Sequence, residues 1–100
     1  MSYTVYILHS EKLDTFYRGQ TSDLADRIAR HNAGAERATQ SGVPWRLLWT
    51  AQKPNRSEAY KLETKLKNLS RARLLAFMLK YSDGVASPDE LLFIKQLSGC

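Results

Sequence analysis

The sequence predicts an α+β fold, a small three-stranded antiparallel sheet flanked by helices, with extra helices at the C-terminus. Residues 3–9 and 16–20 are strand-like and are separated by a connection too short for a parallel crossover. A third strand-like segment, residues 45–51, stands alone between two stretches of helical sequence. Helical signals then occupy the remainder of the chain, and this order is typical of a sheet covered by helices.

The first two strands form a predicted hairpin. Residues 3–9 are rich in aromatic and branched side chains, residues 10–14 form a polar turn, and residues 16–20 return. We expect Tyr6 and Tyr17 to lie opposite each other, with both phenols on the same side of the sheet. A glycine on that same face, Gly19, would then leave a gap where another group could approach closely.

Helix boundaries follow from capping residues. The cluster at residues 21–23 predicts a helix that runs to about residue 32 and stops at Gly34, followed by a loop to residue 44. Later helix starts are predicted at Asn55, which has Glu58 three residues on, at Ser70, and at Ser87, which is followed by Pro88. These helices should end near residues 68, 81 and 97 respectively.

The 100 residues are expected to form one domain, with a core at about residues 3–80 and a helical extension at about residues 86–98. A hydrophobic share of 43% and a charged share of 25% are typical of a soluble globular protein and argue against disorder. One cysteine, Cys100, cannot build a disulfide framework, which favours a reducing, cytoplasmic compartment. Neither a signal peptide nor a membrane span is visible in the sequence.

The net charge of +5 is unevenly distributed along the chain. Basic residues crowd one stretch of the second half, namely Lys53, Arg56, Lys61, Lys65, Lys67, Arg71 and Arg73. Such a surface attracts polyanions, so nucleic acid is an expected partner. The alternative interpretation is an ordinary solvated helix face.

Two polar side chains are predicted on the first helix at the border of its apolar stripe. Arg27 and His31 are four residues apart and therefore share a face, next to the stripe formed by Leu24 and Ile28. They should point along the sheet toward the tyrosines. Taken alone, His31 could be a hydrogen-bonded histidine at the core edge, and Arg27 could form a surface salt bridge with Asp23.

A glutamate on the second helix has a similar position. Glu63 lies beside the buried stripe that contains Leu62 and Leu66, about 60° from Leu66 by helical geometry. Its alternative role is an exposed ion pair with Lys67 at i,i+4.

Taken together, these residues resemble the GIY-YIG nuclease superfamily, over about residues 3–80. The triplets Thr4-Val5-Tyr6 and Tyr17-Arg18-Gly19 match its two named motifs, and Arg27, His31 and Glu63 match its helix arginine, helix histidine and metal-binding glutamate. Residues 21–34 are also similar to small stand-alone bacterial members related to the incision nuclease of excision repair. Thr4 and Arg18 depart from the motifs, and a late asparagine has no clear match.

The resemblance implies a metal-dependent endonuclease that hydrolyses phosphodiester bonds in DNA, with a possible role in DNA repair or recombination. It implies that Arg27 holds the phosphate, that Glu63 binds Mg²⁺ or Mn²⁺, and that a tyrosine helps to activate water. Tyr17 is our preferred base, with Tyr6 and His31 in support. A free phenol has a pKa of about 10, so the base role requires the metal ion or Arg27 to lower that pKa. The two tyrosines are otherwise ordinary strand residues.

Further basic residues are candidates for backbone contacts with nucleic acid. They are Arg18, Arg30, Lys61, Lys65, Arg71 and Arg73. Trp45 and Trp49 are expected in the core or in strands rather than as stacking platforms.

Two other functions stay open at this stage. One is a nucleic-acid-binding module on the same scaffold without turnover, and the other is a small basic domain that binds a protein. Branched or damaged DNA, and also RNA, are possible substrates, and a protein partner is possible.

Overall fold

The computed structural model describes residues 2–99, so Cys100 and the prediction attached to it lie outside the described residues. The elements are, in order, β1 (Tyr3–Ser10), β2 (Thr15–Thr21), α1 (Leu24–Asn32), β3 (Trp45–Lys53), α2 (Arg56–Lys67), α3 (Arg71–Lys80) and α4 (Pro88–Leu97). Short 3-10 turns occur at Gln40–Gly42 and Ser82–Gly84. The predicted α+β class with a three-stranded antiparallel sheet is confirmed.

The sheet order is β2-β1-β3, which makes β1 the central strand. Its register with β2 places Tyr6 opposite Gly19, and Leu8 opposite Tyr17. The expectation that the two tyrosines lie directly opposite each other is therefore wrong. The cause is the hairpin turn, which closes at the pair Ser10–Thr15 and so fixes every later pair along the two strands.

Alternate residues of β1 enter two different clusters. Val5 and Ile7 join a large apolar core on one face of the sheet. Helices α2, α3 and α4 cover that face with Ala59, Leu66, Leu74, Leu75, Met78 and Ile94. On the other face, Tyr6 and Leu8 pack with Trp45 and with side chains of α1. The period-2 alternation of the strand thus separates an apolar face from a more polar one.

The predicted helix starts are confirmed by capping hydrogen bonds. The side chains of Asp23, Asn55, Ser70 and Ser87 each accept a hydrogen bond from the backbone N–H three residues further on. Each bond satisfies a donor that the first helical turn would otherwise leave unpaired. The predicted box at Asn55 is only half formed, because the carboxylate of Glu58 pairs with a lysine instead.

The last helix packs on the core. Ile94 is fully buried, and Phe93 and Leu97 pack against the same cluster, whereas Leu92 points outward. Trp45 and Trp49 are both buried, as predicted. None of the helices in residues 2–99 has the length and apolar character needed to cross a bilayer.

Candidate active site

Tyr6 lies at the centre of the candidate site and is fully buried. Its hydroxyl oxygen is 2.9 Å from Nε2 of His31, so the central strand and the first helix are joined by a buried hydrogen bond. The phenol also occupies the space over Gly19, where an added Cβ would lie 2.5 Å from the Tyr6 hydroxyl oxygen. The gap expected beside Gly19 is therefore filled by Tyr6 itself.

His31 is held on its other side by Thr39. Nδ1 of His31 is 2.8 Å from Oγ1 of Thr39, and that hydroxyl in turn donates to the carbonyl oxygen of Glu36 at 3.4 Å. Because the threonine proton is directed at the carbonyl, its oxygen is left to accept from Nδ1–H. This arrangement favours the tautomer in which Nε2 accepts the proton of the Tyr6 hydroxyl.

The pKa values of the two partners agree with this neutral pair. Burial raises the pKa of Tyr6 to about 12, helped by Tyr17 and Glu63 and opposed by the nearby guanidinium of Arg27. Burial also lowers the pKa of His31, and the cations on α1 act in the same direction while Glu36 opposes them. At neutral pH the phenol is therefore protonated and the imidazole is uncharged.

Tyr17 is the second phenol of the site and is only half-buried. Its ring centroid lies 6.2 Å from that of Tyr6, 5.0 Å from that of His31 and 6.3 Å from that of Trp45. Tyr17 thus shares the face with Tyr6 as predicted, although it is a diagonal neighbour. Of the two phenols, Tyr17 is the one that solvent can reach.

Arg27 borders the same cluster, with its side chain 33% exposed. Nε lies 3.9 Å from Oε1 of Glu36, and the charge of the guanidinium acts on the Tyr6 phenol. The alternative salt bridge with Asp23 does not form, because Asp23 caps α1 with its carboxylate. Arg27 therefore keeps a cationic group at the edge of the buried tyrosine.

Glu63 forms the i,i+4 ion pair with Lys67, at 2.6 Å between Oε2 and Nζ. The pair is not the exposed one considered from the sequence, since the Glu63 side chain is only 14% exposed. This hydrogen bond raises the pKa of Lys67. The charge of Glu63 also contributes to the raised pKa of Tyr6, which puts the carboxylate near the phenol.

The side chains near the tyrosines can be compared with the ligands that a divalent metal ion requires. No group of three or more metal-ligating side chains exists in the part of the chain that the structure describes. A half-buried carboxylate such as that of Glu63 nevertheless fits Mg²⁺ or Mn²⁺, because Mg²⁺ keeps several waters and takes substrate phosphate oxygens as ligands. The same donor set does not fit a structural zinc site.

Arg18 is not brought into this cluster. It pairs with Ile7 on the opposite face of the sheet, and Nη2 donates to the carbonyl oxygen of Leu69 at 3.3 Å. Burial lowers its pKa. The Arg18 that departs from the second motif therefore adds no charge beside the tyrosines, because strand alternation directs it away from them, and its contact with nucleic acid stays a prediction.

The other predicted backbone contacts are exposed basic residues. Arg30, Lys61 and Arg71 pair with the carboxylates of Glu36, Glu58 and Asp14 respectively. Lys65 lies over the ring of Phe77, and Arg73 is exposed on α3. All five could reach a large polyanion, and their role in binding stays a prediction.

Sequence reasoning missed Thr39. It lies in the loop before β3 and is 1% exposed, and its backbone carbonyl accepts from Nε1 of Trp45. A lone threonine in an irregular loop carries no periodic signal. Only the packing of the loop against α1 reveals its contact with His31.

Comparisons with known proteins identify the family of this domain and agree with the fold. The sequence profile of the GIY-YIG catalytic domain matches residues 2–76. A UPF0213 protein of Cupriavidus pinatubonensis is 40% identical over 67 residues, 66% of this chain and 74% of the relative. Another from Halobacterium salinarum is 37% identical over 70 residues, 69% of this chain and 90% of the relative.

A solved structure is also similar. The solution NMR structure of a UPF0213 protein from Bacillus halodurans superposes with a TM-score of 0.52 at 33% identity, covering 90% of this chain and 92% of that one. The names of these relatives give no specific function. The matched domain is that of nucleases, which are in general dependent on a divalent metal and act on nucleic acid. The chain belongs to the GIY-YIG catalytic domain family, and its membership implies nuclease activity.

Proposed function

We propose that this protein is a metal-dependent endonuclease that hydrolyses phosphodiester bonds in DNA. One observation carries the proposal. Tyr17 packs against a buried chain of phenol, imidazole and hydroxyl, and the charges of Arg27 and Glu63 act on the phenol of that chain; all three side chains are partly open to solvent. A phosphodiester that binds beside these three side chains would meet a phenol, a guanidinium and a carboxylate.

Arg27 would bind the scissile phosphate. Its planar guanidinium can donate two parallel hydrogen bonds to phosphate oxygens, and its charge offsets the negative charge that develops on them. The only carboxylate within 4.0 Å of it among the described residues is that of Glu36, at a long 3.9 Å. Arg27 would therefore lose little stabilisation when it exchanges its contact with Glu36 for a phosphate.

Tyr17 would act on the attacking water, and Tyr6 would act through its neighbours. Tyr6 is fully buried and its proton is directed at Nε2 of His31, so it has no surface with which to touch water. Tyr17 is half-buried and lies against both rings. Tyr6 and His31 would therefore position Tyr17 through contacts between the rings.

Glu63 would hold Mg²⁺ or Mn²⁺ through a single carboxylate, with water and substrate oxygens as the other ligands. Such an ion, when bound, supplies Lewis-acid polarisation of the phosphoryl or leaving oxygen. The ion pair with Lys67 uses Oε2 of Glu63, so the ion would bind Oε1 or take the place of Lys67 at Oε2.

The Lys67 contact also favours a second candidate, a nucleic-acid-binding module on this scaffold with little or no turnover. If Lys67 neutralises Glu63 permanently, the site keeps its cationic phosphate contacts and loses its metal ligand. A function in DNA repair or recombination is part of the proposal for the nuclease only, and rests on the resemblance to excision-repair nucleases.

The test is cleavage of labelled linear and branched DNA, and of RNA, with Mg²⁺, with Mn²⁺ and with a chelator. We expect metal-dependent cleavage that falls by about 10²–10³-fold in Tyr17→Phe, Arg27→Ala and Glu63→Ala, the range seen when one transition-state contact is removed. Lys95→Ala, an exposed charge removal on α4, is the matched control and should keep full activity.

Circular dichroism of each variant separates lost chemistry from lost folding. Salt-sensitive binding without cleavage, unchanged in Glu63→Ala, would reject the nuclease and support the binding module. Cleavage that persists in the chelator would reject the role of the metal.

A further inference from the structure

A polar groove opens next to Arg27, at the end of the sheet where β2 stops and where α1 and α2 begin. It has a volume of about 270 Å³ and is lined by Tyr3, Gln20, Thr21, Ser22, Arg27 and Arg56. We name it the Arg27–Arg56 groove. Arg27 lines this groove and its charge also acts on the Tyr6 phenol, so the groove and the candidate active site share this residue.

The charge of the groove is positive. Two of its six lining residues are arginines, and none of them is acidic. Arg56 takes part in none of the ion pairs found within residues 2–99, and it is exposed at the first position of α2. Two guanidiniums that share one groove without a carboxylate between them repel each other unless an anion binds there.

Gln20 provides an independent sign of a missing partner. Its Oε1 is buried and has no hydrogen-bond partner in the described part of the chain. A buried polar atom of this kind is costly unless something pairs with it. Because this oxygen is closed to solvent, an occupant of the groove could pair with it only after the Gln20 side chain turns toward the groove.

We propose that the Arg27–Arg56 groove binds a phosphate next to the scissile one, on the same nucleic acid strand. This inference rests on the proposed function, since it needs Arg27 to hold the scissile phosphate. Arg56 would then bind the neighbouring phosphate, because it lines the same groove as Arg27. The contact sets where the strand lies and carries no sequence information.

The first test uses inorganic phosphate alone and does not depend on catalysis. Phosphate is titrated into ¹⁵N-labelled protein, and the shifts of the Gln20 side-chain amide, the Ser22 amide and the Arg56 guanidinium are followed by NMR. We expect saturable shifts at all three groups, and those of Gln20 and Ser22 should be lost in Arg56→Ala, while all three are kept in Lys95→Ala. No response of the groove, or an equal response in Arg56→Ala, overturns the site.

The second test places the phosphate on the strand. Oligonucleotides carry one uncharged methylphosphonate at each position around the cleavage point in turn, and binding is measured in a chelator so that the strand stays intact. We expect one position beside the scissile phosphate to weaken wild-type binding roughly tenfold, the effect of one charge-assisted hydrogen bond. The methylphosphonate at that position should not weaken the binding of Arg56→Ala any further.

Salt dependence gives a second readout of the same contact. In Arg56→Ala the slope of log affinity against log salt on a duplex should become shallower by about 0.9, as for one lost phosphate contact. The assignment of Arg56 to a single phosphate is overturned if each methylphosphonate weakens binding by the same factor in Arg56→Ala as in the wild type. It is also overturned if Lys95→Ala changes the salt slope as much as Arg56→Ala does.

The failures of the two proposals are distinguishable. If wild-type protein neither binds nor cleaves any nucleic acid, the proposed function fails and this subsite falls with it, even if inorganic phosphate still shifts the groove. If wild-type protein cleaves normally and Arg56→Ala is indistinguishable from it in every assay, only the subsite is overturned.

Discussion

The two faces of β1 differ more than their shared strand suggests. Val5 and Ile7 point into an apolar core that three helices cover, and the packing there is mainly between hydrocarbon and aromatic groups. Tyr6, one position away, points into a buried hydrogen-bonded chain that runs through His31 to Thr39. One face stabilises the molecule by burial of apolar surface, and the other holds polar side chains in place at some cost.

This difference suggests that the apolar face of the sheet determines stability and that the polar face determines activity. Substitutions on the apolar face should change stability and leave the chemistry of the folded molecules intact. Substitutions on the polar face should change activity, and they should change stability only where a buried partner is left unpaired. The following predictions test this division, from the largest expected effect to the smallest.

The largest effect is expected on the apolar face. Leu74 is fully buried on α3, so Leu74→Ala should lower the free energy of unfolding by about 2–5 kcal/mol, the range for a buried leucine cut to alanine. Leu92→Ala is the control, since Leu92 is 59% exposed, and should change it by less than about 0.5 kcal/mol. Urea denaturation measures both, and specific activity should be unchanged.

On the polar face, the two tyrosines should separate stability from activity. Tyr6→Phe leaves Nε2 of the buried His31 without its partner and should cost about 1–3 kcal/mol. The hydroxyl of Tyr17 makes no side-chain hydrogen bond within the described residues, so Tyr17→Phe should cost less than about 0.5 kcal/mol.

Activity should follow the reverse order, because Tyr17 is the phenol that solvent reaches. Denaturation and cleavage are measured on the same two variants. An equal loss of stability in both, or greater loss of activity in Tyr6→Phe, would contradict the assignment of the buried phenol to positioning.

The smallest effect is a dependence of stability on pH. Burial lowers the pKa of His31 below its ordinary value of 6.5, so below that pH the unfolded chain takes up a proton that the native state resists. The contribution of His31 is complete above pH 6.5 and is lost as the pH falls. We expect the free energy of unfolding to drop between pH 7 and 5, by at most about 1.4 kcal/mol per pH unit.

His31→Gln should flatten this decline, while Lys95→Ala should keep it. Denaturation curves at half-unit pH steps provide the measurement. If wild type and His31→Gln lose stability in parallel, the imidazole is not the group that titrates.

Much of the fold could be predicted because local signals were strong and unopposed. The caps at Asp23, Asn55, Ser70 and Ser87 each satisfy a donor within three residues, so no distant contact was needed to locate the helix starts. The alternation of β1 likewise assigned Tyr6 to the face opposite Ile7. Both kinds of signal act over a single turn or a single strand.

The site was harder to predict because it depends on register and on loop packing. Tyr17 faces Leu8 rather than Tyr6, since Ser10 pairs with Thr15, two residues beyond the partner that a Tyr6–Tyr17 pairing requires. Thr39 reaches His31 only because its loop folds back over α1. Tyr6, Tyr17 and His31 lie together, but Thr39, which fixes the imidazole, has no motif of its own.

The close approach over Gly19 has a consequence for attempts to engineer this protein. An added methyl group there would meet both the Tyr6 ring and, at 3.0 Å, the Tyr17 ring. In a saturation library selected for cleavage, this codon should tolerate glycine alone, whereas the exposed Ala25 nearby should accept nearly any residue. Redesign of substrate preference should therefore begin with exposed residues around the candidate site, and should leave Gly19 and the tyrosines packed over it unchanged.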